Sequence, residues 1–273
     1  MLGAIIGDVV GSRFEFANHR SESFILFHKD CFFTDDTVMT CAVADCLVNL
    51  NTPYPSSRLI CENLKRIGRH YPGAGYGLMF RRWLFVPGED KPYDSFGNGA
   101  AMRISSVGWV AKSEEEVKKL SKIITGVSHN HEEGLKGAEV VAMCIYKLRN
   151  GATKHEIFKY ARTQYPLINI LDLDELRDTY YFNETCQNTV PQAIFCFLMS
   201  ESFEDCLRKS VSIGGDTDTL CAISCALAEA YYGIPEKFKK QVLKYFDKAD
   251  RNILLKPIQE LYEKVGMKNY LML

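Results

Sequence analysis

The sequence predicts an all-α protein, and three observations lead to that prediction. Apolar residues recur at helical spacing through most of the 273 residues, as in residues 38–50 and 132–148. Alternating β-type runs are scarce, and residues 22–28 are the best strand candidate. No linker rich in Pro, Gly or Ser divides the chain. We therefore expect residues 1–273 to form a single domain of helices whose loops carry the polar clusters.

Individual helices are predicted from apolar periodicity together with start and stop signals. Ser113 and Glu116 form a capping-box pattern, and Gly233 is a typical helix stop. Gly3, Gly7 and Gly11 recur every four residues, so they share one helix face and permit close packing against a second helix. The other predicted helices cover residues 38–50, 132–148, 154–164, 189–200, 202–212, 217–232, 235–250 and 257–265.

The composition excludes several function classes. With 47% hydrophobic and 25% charged residues, the chain has the composition of an ordinary soluble protein. A formal net charge of −1 gives no electrostatic footprint for nucleic acid or an anionic membrane, and no apolar run has the length of a membrane span. The first residues lack the basic segment of a signal peptide. None of the ten cysteines forms a C-x-x-C pair, so we expect reduced thiols and a cytoplasmic protein.

Two acidic clusters, residues 34–37 (TDDT) and 214–219 (GGDTDT), open two of the predicted helices. One aspartate at a helix start is explained by capping, because its side chain accepts from free backbone N–H groups. Two aspartates so close together repel each other unless a cation lies between them. Carboxylate and hydroxyl oxygens are ligands for magnesium, manganese or calcium rather than zinc. The two clusters together predict a two-metal site, with helix capping as the alternative.

Other residues add candidates for the same site. Glu15 stands between two phenylalanines, which suggests a partly buried functional carboxylate. Residues 71–83 and 94–105 are glycine-rich and precede helical runs, so they can admit a phosphate near a helix start, although ordinary turns would look the same. His129 and His131 lie in a loop where a solvated pair is commoner than a metal site, and we assign no zinc to them.

Five stretches follow one another as in the ADP-ribosylglycohydrolase family, which includes bacterial dinitrogenase reductase-activating glycohydrolases and eukaryotic ADP-ribosyl-acceptor hydrolases. The chain resembles this family from residue 3 to about residue 235. The resemblance implies an orthogonal, all-α fold and a binuclear magnesium centre in which Mn²⁺ can substitute. The stretches are GDVVGSRFEF, FTDDTVMT, GYG with SFGNGAAMR, SHNH, and SIGGDTDT.

The resemblance also implies roles for individual residues, with Asp218 bridging both ions. Arg13 departs from the family pattern, which leaves open whether Glu15 is free or ion-paired, and Ala100-Ala101 also departs from it. The implied metal ligands are Thr34, Asp35, Asp36, Asp216, Asp218 and Thr219. The implied catalytic carboxylates are Glu15, Asp35 and Asp36. The implied substrate-binding residues are Gly75, Tyr76, Gly77, Ser95, Gly97, Asn98 and Gly99 at the diphosphate, and His129 near the distal ribose.

The activity implied by the resemblance is hydrolysis of the glycosidic bond between ADP-ribose and an acceptor. The acceptor would be a protein side chain such as arginine or serine, or another ADP-ribosyl conjugate, and ADP-ribose would be the product. A catalytically silent ADP-ribose-binding module on the same fold is one alternative. A metal-dependent phosphatase of the haloacid dehalogenase type is another, because residues 216–220 (DTDTL) fit its D-x-D-x-T signature, although that signature belongs after an apolar strand.

Overall fold

Helices make up 66% of the protein in a computed structural model that describes residues 1–48, 50 and 52–273. No strand is present in those described ranges, and a single antiparallel bridge joins Gly97 to Thr185. The prediction of an all-α fold is therefore confirmed. None of the described helices has the length and apolar character needed to cross a membrane.

The polar loops of the protein lie between its helices. The α-helices are α1 (Leu2–Gly11), α2 (Asp35–Val48), α3 (Ser57–His70), α4 (Leu78–Phe85), α5 (Gly99–Met102), α6 (Ser105–Val110), α7 (Glu114–Thr125), α8 (Glu132–Arg149), α9 (Lys154–Gln164), α10 (Leu173–Thr179), α11 (Cys186–Met199), α12 (Phe203–Ser212), α13 (Thr217–Tyr232), α14 (Glu236–Val242), α15 (Lys248–Asp250) and α16 (Lys256–Lys264). Short 3₁₀ turns cover Ser12–Phe14, Pro166–Ile170 and Leu243–Tyr245, and a π turn covers Arg251–Leu255.

The predicted strand at residues 22–28 is wrong. A strand needs a neighbouring strand to pair its backbone groups, and this segment has none among the described residues. Its carbonyl groups are satisfied by a side chain instead, because Arg208 Nη1 donates to the carbonyl oxygens of Glu22 (2.9 Å) and Phe24 (3.0 Å). The apolar side chains of the segment still pack against the core, but from an irregular backbone.

Most predicted helices are present, with shifted ends. The helix predicted at residues 38–50 begins earlier, at Asp35, and ends at Val48, while Asn49 lies outside the described residues. Ser113 caps α7 as predicted, since its Oγ accepts from the backbone N–H of Glu116 at 3.1 Å. The segment predicted as one helix at 235–250 is interrupted, because a capping box formed by Asp247 and Asp250 starts the separate helix α15.

The contact between α1 and α13 lies at the centre of the molecule. A methyl group built at Gly3 would lie 2.3 Å from the carbonyl oxygen of Cys225, and one built at Gly7 would lie 2.1 Å from that of Cys221. A methyl group at Gly11 would lie 2.7 Å from the Cα of Asp218. The glycine face predicted from the sequence therefore lies directly on the backbone of α13, and the two helices run antiparallel.

The opposite end of this helix pair is held by a buried carboxylate. Glu229 on α13 accepts from the backbone N–H of Gly3 at 2.8 Å and from the α-amino group of Met1 at 2.5 Å. Tyr262 on α16 donates to the same carboxylate and accepts from the backbone N–H of Leu2 at 2.7 Å. A negative charge is stabilised at the start of a helix, so Glu229 fixes how α1 is seated on α13.

The core contains apolar side chains from both ends of the chain, including the inward faces of α1, α2, α8, α11 and α13. The ten cysteines are free thiols, and all except Cys61 are buried. They act as small core residues, as the sequence predicts.

Replacing Gly7 by Ala tests the close approach of α1 to α13. The added methyl group has no space beside the Cys221 carbonyl, so we expect Gly7→Ala to lower the free energy of unfolding by about 1–3 kcal/mol. Gly73→Ala is the matched control, because nothing lies within 4 Å of a methyl group built there. Urea denaturation of both variants measures the difference, and equal stability would contradict the packing described here.

Candidate active site

A cavity of about 310 Å³ gathers nearly all of the side chains that the sequence analysis selected. It lies where the ends of α1 and its 3₁₀ turn meet the starts of α2, α5 and α13. Only Thr34 and Tyr76, among the selected residues, are not part of its lining. The selected residues that line it are Glu15, Asp35, Asp36, Gly75, Gly77, Ser95, Gly97, Asn98, Gly99, His129, Asp216, Asp218 and Thr219.

The two acidic clusters meet at one side of the cavity. Glu15, Asp216 and Asp218 each offer a carboxylate oxygen, and these three atoms lie within 4.8 Å of one another. Asp36 joins them, because its Oδ2 accepts from Thr219 Oγ1 at 3.1 Å. The other oxygen of Asp36, Oδ1, is buried and accepts no hydrogen bond from any described residue. A buried carboxylate oxygen without a donor is a free ligand position for a cation.

The carboxylates of this cluster lack a balancing positive charge. No ion pair joins Glu15, Asp35, Asp36, Asp216 or Asp218 to a basic side chain within the described part of the chain. Burial, followed by repulsion from neighbouring carboxylates, raises the pKa values of Asp35, Asp36 and Asp218 well above the ordinary range. Burial and the charge of Asp216 raise the pKa of Glu15 to about 7. Oxygen ligands arranged in this way fit divalent cations.

Helix capping does not account for the aspartates. Asp216 occupies the N-cap position of α13, but its side chain accepts no hydrogen bond from the helix backbone. Asp216 Oδ2 instead accepts from the side-chain amide of Asn98 at 2.7 Å. At the start of α2, the side chains that accept from the backbone are Thr34, whose Oγ1 lies 3.3 Å from the N–H of Asp36, and Asp8, which accepts from the N–H of Thr37 at 3.0 Å. Asp218 Oδ1 does accept from the N–H of Thr219 at 2.9 Å in the first turn of α13, but this contact accounts for one carboxylate oxygen and not for the meeting of the two clusters.

Asp8 is a site residue that the sequence analysis missed. It is fully buried on α1 and accepts from the backbone N–H groups of Thr34 (2.9 Å) and Thr37 (3.0 Å). It also accepts from the hydroxyl groups of both threonines. Burial raises the pKa of Asp8 to about 6, although all four hydrogen bonds act in the opposite direction. An acid inside the apolar run GAIIGDVVG was the available signal.

Thr34 and Tyr76 are the two selected residues that do not line the cavity, and both form hydrogen bonds within the protein instead. Thr34 Oγ1 donates to Asp8 Oδ1 at 2.7 Å, so its hydroxyl hydrogen is used within the protein. Tyr76 is buried, and its hydroxyl donates to the carbonyl oxygen of Gly68 at 3.1 Å. The neighbouring loop is tied to the acidic cluster through its backbone, because the N–H of Asp35 donates to the carbonyl oxygen of Ala74 at 2.7 Å.

The loop at residues 95–99 connects the acidic side of the cavity to its glycine-lined side. The backbone N–H of Asn98 donates to the carbonyl oxygen of Glu184 at 2.7 Å, and its side-chain amide donates to Asp216 and to Thr189. Methyl groups built at Gly97 and Gly99 would lie 3.6 Å and 3.3 Å from a ring nitrogen of His129. These glycines therefore leave room that side chains would fill.

The two histidines and Arg13 differ in whether their side chains belong to the cavity. His129 is buried in the cavity wall, whereas His131 caps α8, where its Nδ1 accepts from the backbone N–H of Glu133 at 3.1 Å. Arg13 donates to the carbonyl oxygen of Ile25 at 2.7 Å and forms no ion pair with Glu15. The Glu15 carboxylate is thus half-buried and unpaired. The sequence analysis also missed Arg103 and Glu184, which line the cavity.

A larger cavity, of about 720 Å³, lies between the ends of α2, α6, α8 and α16. Two of its basic side chains are already used at helix ends. Arg149 Nη1 donates to the carbonyl oxygen of Ala111 at 3.2 Å, and Lys264 Nζ donates to that of Leu47 at 2.9 Å.

Comparisons with known proteins agree on one family. The family model described as ADP-ribosylglycohydrolase matches residues 1–269. The ADP-ribosylhydrolase ARH3 of Homo sapiens is 24% identical over an alignment that covers 97% of this chain and 93% of the relative. The ADP-ribosylarginine hydrolase Tri1 of Pseudomonas putida is 25% identical, with 86% of this chain and 70% of the relative covered.

A solved structure has the same fold. It is titled "ADP-ribosylglycohydrolase-related protein complex" and is 21% identical to this chain. Its TM-score is 0.70, and the alignment covers 97% of this chain and 95% of that one. The helical architecture described above is therefore shared with a protein related to the same family.

Replacing Asp8 by Asn tests its anchoring role. The amide group would place N–H donors against the donors of Thr34 and Thr37, so we expect Asp8→Asn to lower the free energy of unfolding by about 1–3 kcal/mol. The control is Asp178→Asn at an exposed position, which we expect to change stability by less than about 0.5 kcal/mol. Urea denaturation compares the two, and equal effects would remove Asp8 from the site.

Proposed function

Because this chain belongs to the ADP-ribosylglycohydrolase family, and is thereby a glycohydrolase that acts on ADP-ribosylated substrates, we propose that it cleaves the bond between ADP-ribose and its acceptor at a binuclear magnesium centre. The centre would be held by the two acidic clusters. The observation that carries this proposal is the meeting of Glu15, Asp216 and Asp218 within 4.8 Å, without a basic partner.

The donor set fits magnesium. Every side chain at the acidic side of the cavity offers oxygen, and the buried Oδ1 of Asp36 has no hydrogen-bond donor. The ligands would be provided by Thr34, Asp35, Asp36, Asp216, Asp218 and Thr219, and Mn²⁺ accepts the same oxygen ligands. Thr34 donates its hydroxyl hydrogen to Asp8, which is compatible with a hydroxyl oxygen that binds a cation. The chemistry that bound divalent ions supply in such a site is orientation of the sugar, positioning of water and stabilisation of developing charge.

Glu15 is the group that we propose to move the proton. It lies at the edge of the acidic cluster, is half-buried, and has no ion-pair partner. Burial and neighbouring carboxylates raise its pKa to about 7 in the metal-free protein. Divalent cations bound beside it would lower that pKa, so Glu15 would be ionised and able to accept a proton at neutral pH. A water molecule beside Glu15 would lose a proton to this carboxylate as its oxygen bonds to the sugar carbon. The bond from that carbon to the acceptor atom would break, and the departing acceptor atom would take up the proton. Asp35 and Asp36 would hold the water and the sugar in line.

The glycine-lined side of the cavity would bind the diphosphate. Gly75, Gly77, Gly97 and Gly99 border this side, and their lack of side chains lets a ligand approach the backbone. Gly75 has a φ of +99°, a conformation that a residue with a side chain rarely adopts. Ser95 supplies a hydroxyl group beside them, and His129 lies in the wall behind. Asn98 would act here by holding the loop, because both N–H groups of its side-chain amide already donate to Asp216 and Thr189.

The acceptor is a protein side chain in this proposal, with arginine and serine as the two linkages to compare. One relative is named for action on ADP-ribosylarginine, and the others are named as ADP-ribosylhydrolases. Ten free thiols are typical of a reducing compartment, so we also propose that the protein acts in the cytoplasm.

The phosphatase and the silent binding module can each be distinguished from a glycohydrolase. A phosphatase of the haloacid dehalogenase type places its aspartates after a strand of a parallel sheet, and residues 1–48, 50 and 52–273 contain no strand. A silent binding module would keep ADP-ribose affinity without turnover. Release of free ADP-ribose from a defined conjugate distinguishes an enzyme from such a module.

Charge-removing variants test the metal centre. Asp36→Asn and Asp218→Asn keep nearly the same shape but remove a ligand charge, so we expect both to fold and to lose at least about 100-fold in turnover, in line with losses seen for ligand-support changes. The assay measures release of ADP-ribose from arginine-linked and serine-linked peptides, with and without EDTA. Asp178→Asn, at an exposed position, is the control. Full activity in Asp218→Asn, or turnover in EDTA, would refute the centre.

The raised pKa values predict how stability depends on pH and metal. Unfolded carboxyl groups lose their protons near pH 4, whereas Asp8 and Glu15 in the folded chain keep theirs to about 6 and about 7. The folded state therefore binds more protons across this window, so metal-free stability falls as pH rises through it. A divalent ion binds the deprotonated cluster.

We therefore expect MgCl₂ to raise the melting temperature more at about pH 8 than at about pH 5. Thermal melts in EDTA, in MgCl₂ and in NaCl of the same ionic strength measure this difference. A shift of equal size at both pH values would contradict the assignment of the cluster as a metal site.

A further inference from the structure

His129 is held in the cavity wall by two neighbours that contact the same ring nitrogen. Nδ1 of His129 lies 2.8 Å from Ser128 Oγ and 3.4 Å from Arg103 Nη2. Arg103 Nη2 also donates to Ser128 Oγ at 2.7 Å. The three side chains are buried, with 0% of Arg103, 0% of Ser128 and 4% of His129 exposed. Their hydrogen bonds are therefore isolated from bulk water.

The donors and acceptors in this triad allow one arrangement. A guanidinium group only donates, so Ser128 Oγ accepts from Arg103 and has its own hydrogen left to donate. No described residue other than His129 lies within hydrogen-bonding distance of that hydrogen. Nδ1 of His129 must then be the acceptor, and a neutral imidazole that accepts at Nδ1 carries its hydrogen on Nε2.

The opposite tautomer has two costs. A hydrogen on Nδ1 would face the N–H group of Arg103, and two donors repel. It would also make Ser128 Oγ accept from both neighbours and leave the serine hydroxyl hydrogen without an acceptor in a buried position, which is unfavourable.

The other ring nitrogen faces the cavity. Nε2 lies close to the glycines of the 95–99 loop, at 3.3 Å from a methyl group built at Gly99 and 3.6 Å from one built at Gly97. No hydrogen bond joins Nε2 to a described residue. A buried histidine thus directs an unpartnered N–H group at the side of the cavity where the glycines leave space.

The surroundings keep the ring neutral. The charged or titratable side chains that pack against it are Arg103 and Tyr93, whose ring centre lies 5.8 Å from that of His129, while Phe80 on α4 is apolar. Burial, together with the positive charge of Arg103, lowers the pKa of His129 well below its ordinary range. Arg103 itself has Nε and Nη1 without hydrogen-bond partners among the described residues, and Asp35 is a carboxylate whose charge acts on it across the cavity.

We propose that Arg103 and Ser128 are positioning residues that fix His129 as the Nε2–H tautomer, so that it offers a neutral donor to an oxygen atom of bound ADP-ribose. The tautomer is a property of the free protein. Only the identity of the oxygen-bearing ligand rests on the proposed function. A donor fixed in this way favours an acceptor oxygen, such as one of a diphosphate or a ribose, over a ligand N–H group at the same place.

The tautomer can be read directly in the free, full-length protein. In protein labelled with ¹⁵N-histidine, the ring ¹⁵N shifts distinguish the two neutral tautomers and the charged form, and His129→Gln identifies the signal. We expect the Nε2–H pattern from about pH 5 to pH 8 without titration. An Nδ1–H pattern, or titration in the ordinary range of histidine, would overturn the proposal.

Variants of the two positioning residues separate positioning from mere packing. We expect Arg103→Met, which keeps the chain length but removes the charge and the donors, to raise the pKa of His129 only in part, because burial, the larger cause of its lowering, remains. Arg103→Lys keeps the charge and should raise the pKa less. Ser128→Ala keeps the fold testable if Arg103→Met does not fold. Its matched control is Ser121→Ala, because Ser121 is equally buried and its Oγ has no partner.

Binding completes the test. Calorimetry with ADP-ribose and MgCl₂ should show about tenfold weaker affinity for Ser128→Ala than for Ser121→Ala, which corresponds to one lost or misdirected hydrogen bond. Unchanged affinity together with an unchanged ¹⁵N pattern in Ser128→Ala would overturn the positioning role. If the unaltered protein fails to bind ADP-ribose, the proposed function and the ligand part of this inference fail, while the ¹⁵N pattern still decides the tautomer.

Discussion

The close approach of α1 to α13 is the constraint on which the rest of the site depends. Three glycines on α1 lie directly on the backbone of α13, and this contact brings the end of α1 to the start of α13. Glu15 follows α1 immediately and so reaches Asp216 and Asp218. The same helix carries Asp8, which holds the TDDT segment through four hydrogen bonds. One helix thus positions both acidic clusters.

The cavity is electrically asymmetric. Its acidic side gathers carboxylates without basic partners, and its other wall contains the buried guanidinium of Arg103 beside the neutral ring of His129. No ion pair joins Arg103 to these carboxylates within the described part of the chain, although the charge of Asp35 acts on Arg103 across the cavity. A ligand that is anionic at one end and held by cations at the other would complement both sides, and ADP-ribose with bound magnesium has that distribution. The charge pattern therefore supports the proposed substrate independently of the glycine loops.

Much of the fold and of the candidate site could be predicted from the sequence, because helix starts and packed helix faces leave signals in short stretches of it. Acidic residues before apolar periodic runs indicated the starts of α2 and α13, and a four-residue glycine spacing indicated the packed face of α1. What could not be predicted depends on contacts between distant segments. The acid within the apolar run marks Asp8 in the sequence, but its role becomes clear only once Thr34 and Thr37 lie beside it. The orientation of the Tyr76 side chain away from the cavity follows from its hydrogen bond to Gly68. The strand predicted at residues 22–28 is wrong for the same reason, since Arg208, which is distant in sequence, donates to the carbonyl oxygen of Glu22.

The hydrogen bond from Asn98 to Asp216 has a consequence for how the two halves of the cavity communicate. One end of this bond belongs to the glycine loop and the other to the acidic cluster, so the loop and the cluster share a single polar contact. A cation held by Asp216, as proposed, would draw electron density from the carboxylate and weaken it as an acceptor for Asn98. Ion occupancy and loop conformation would then be thermodynamically linked, and by reciprocity a ligand that reorders the loop would change the affinity for the ion by the same factor.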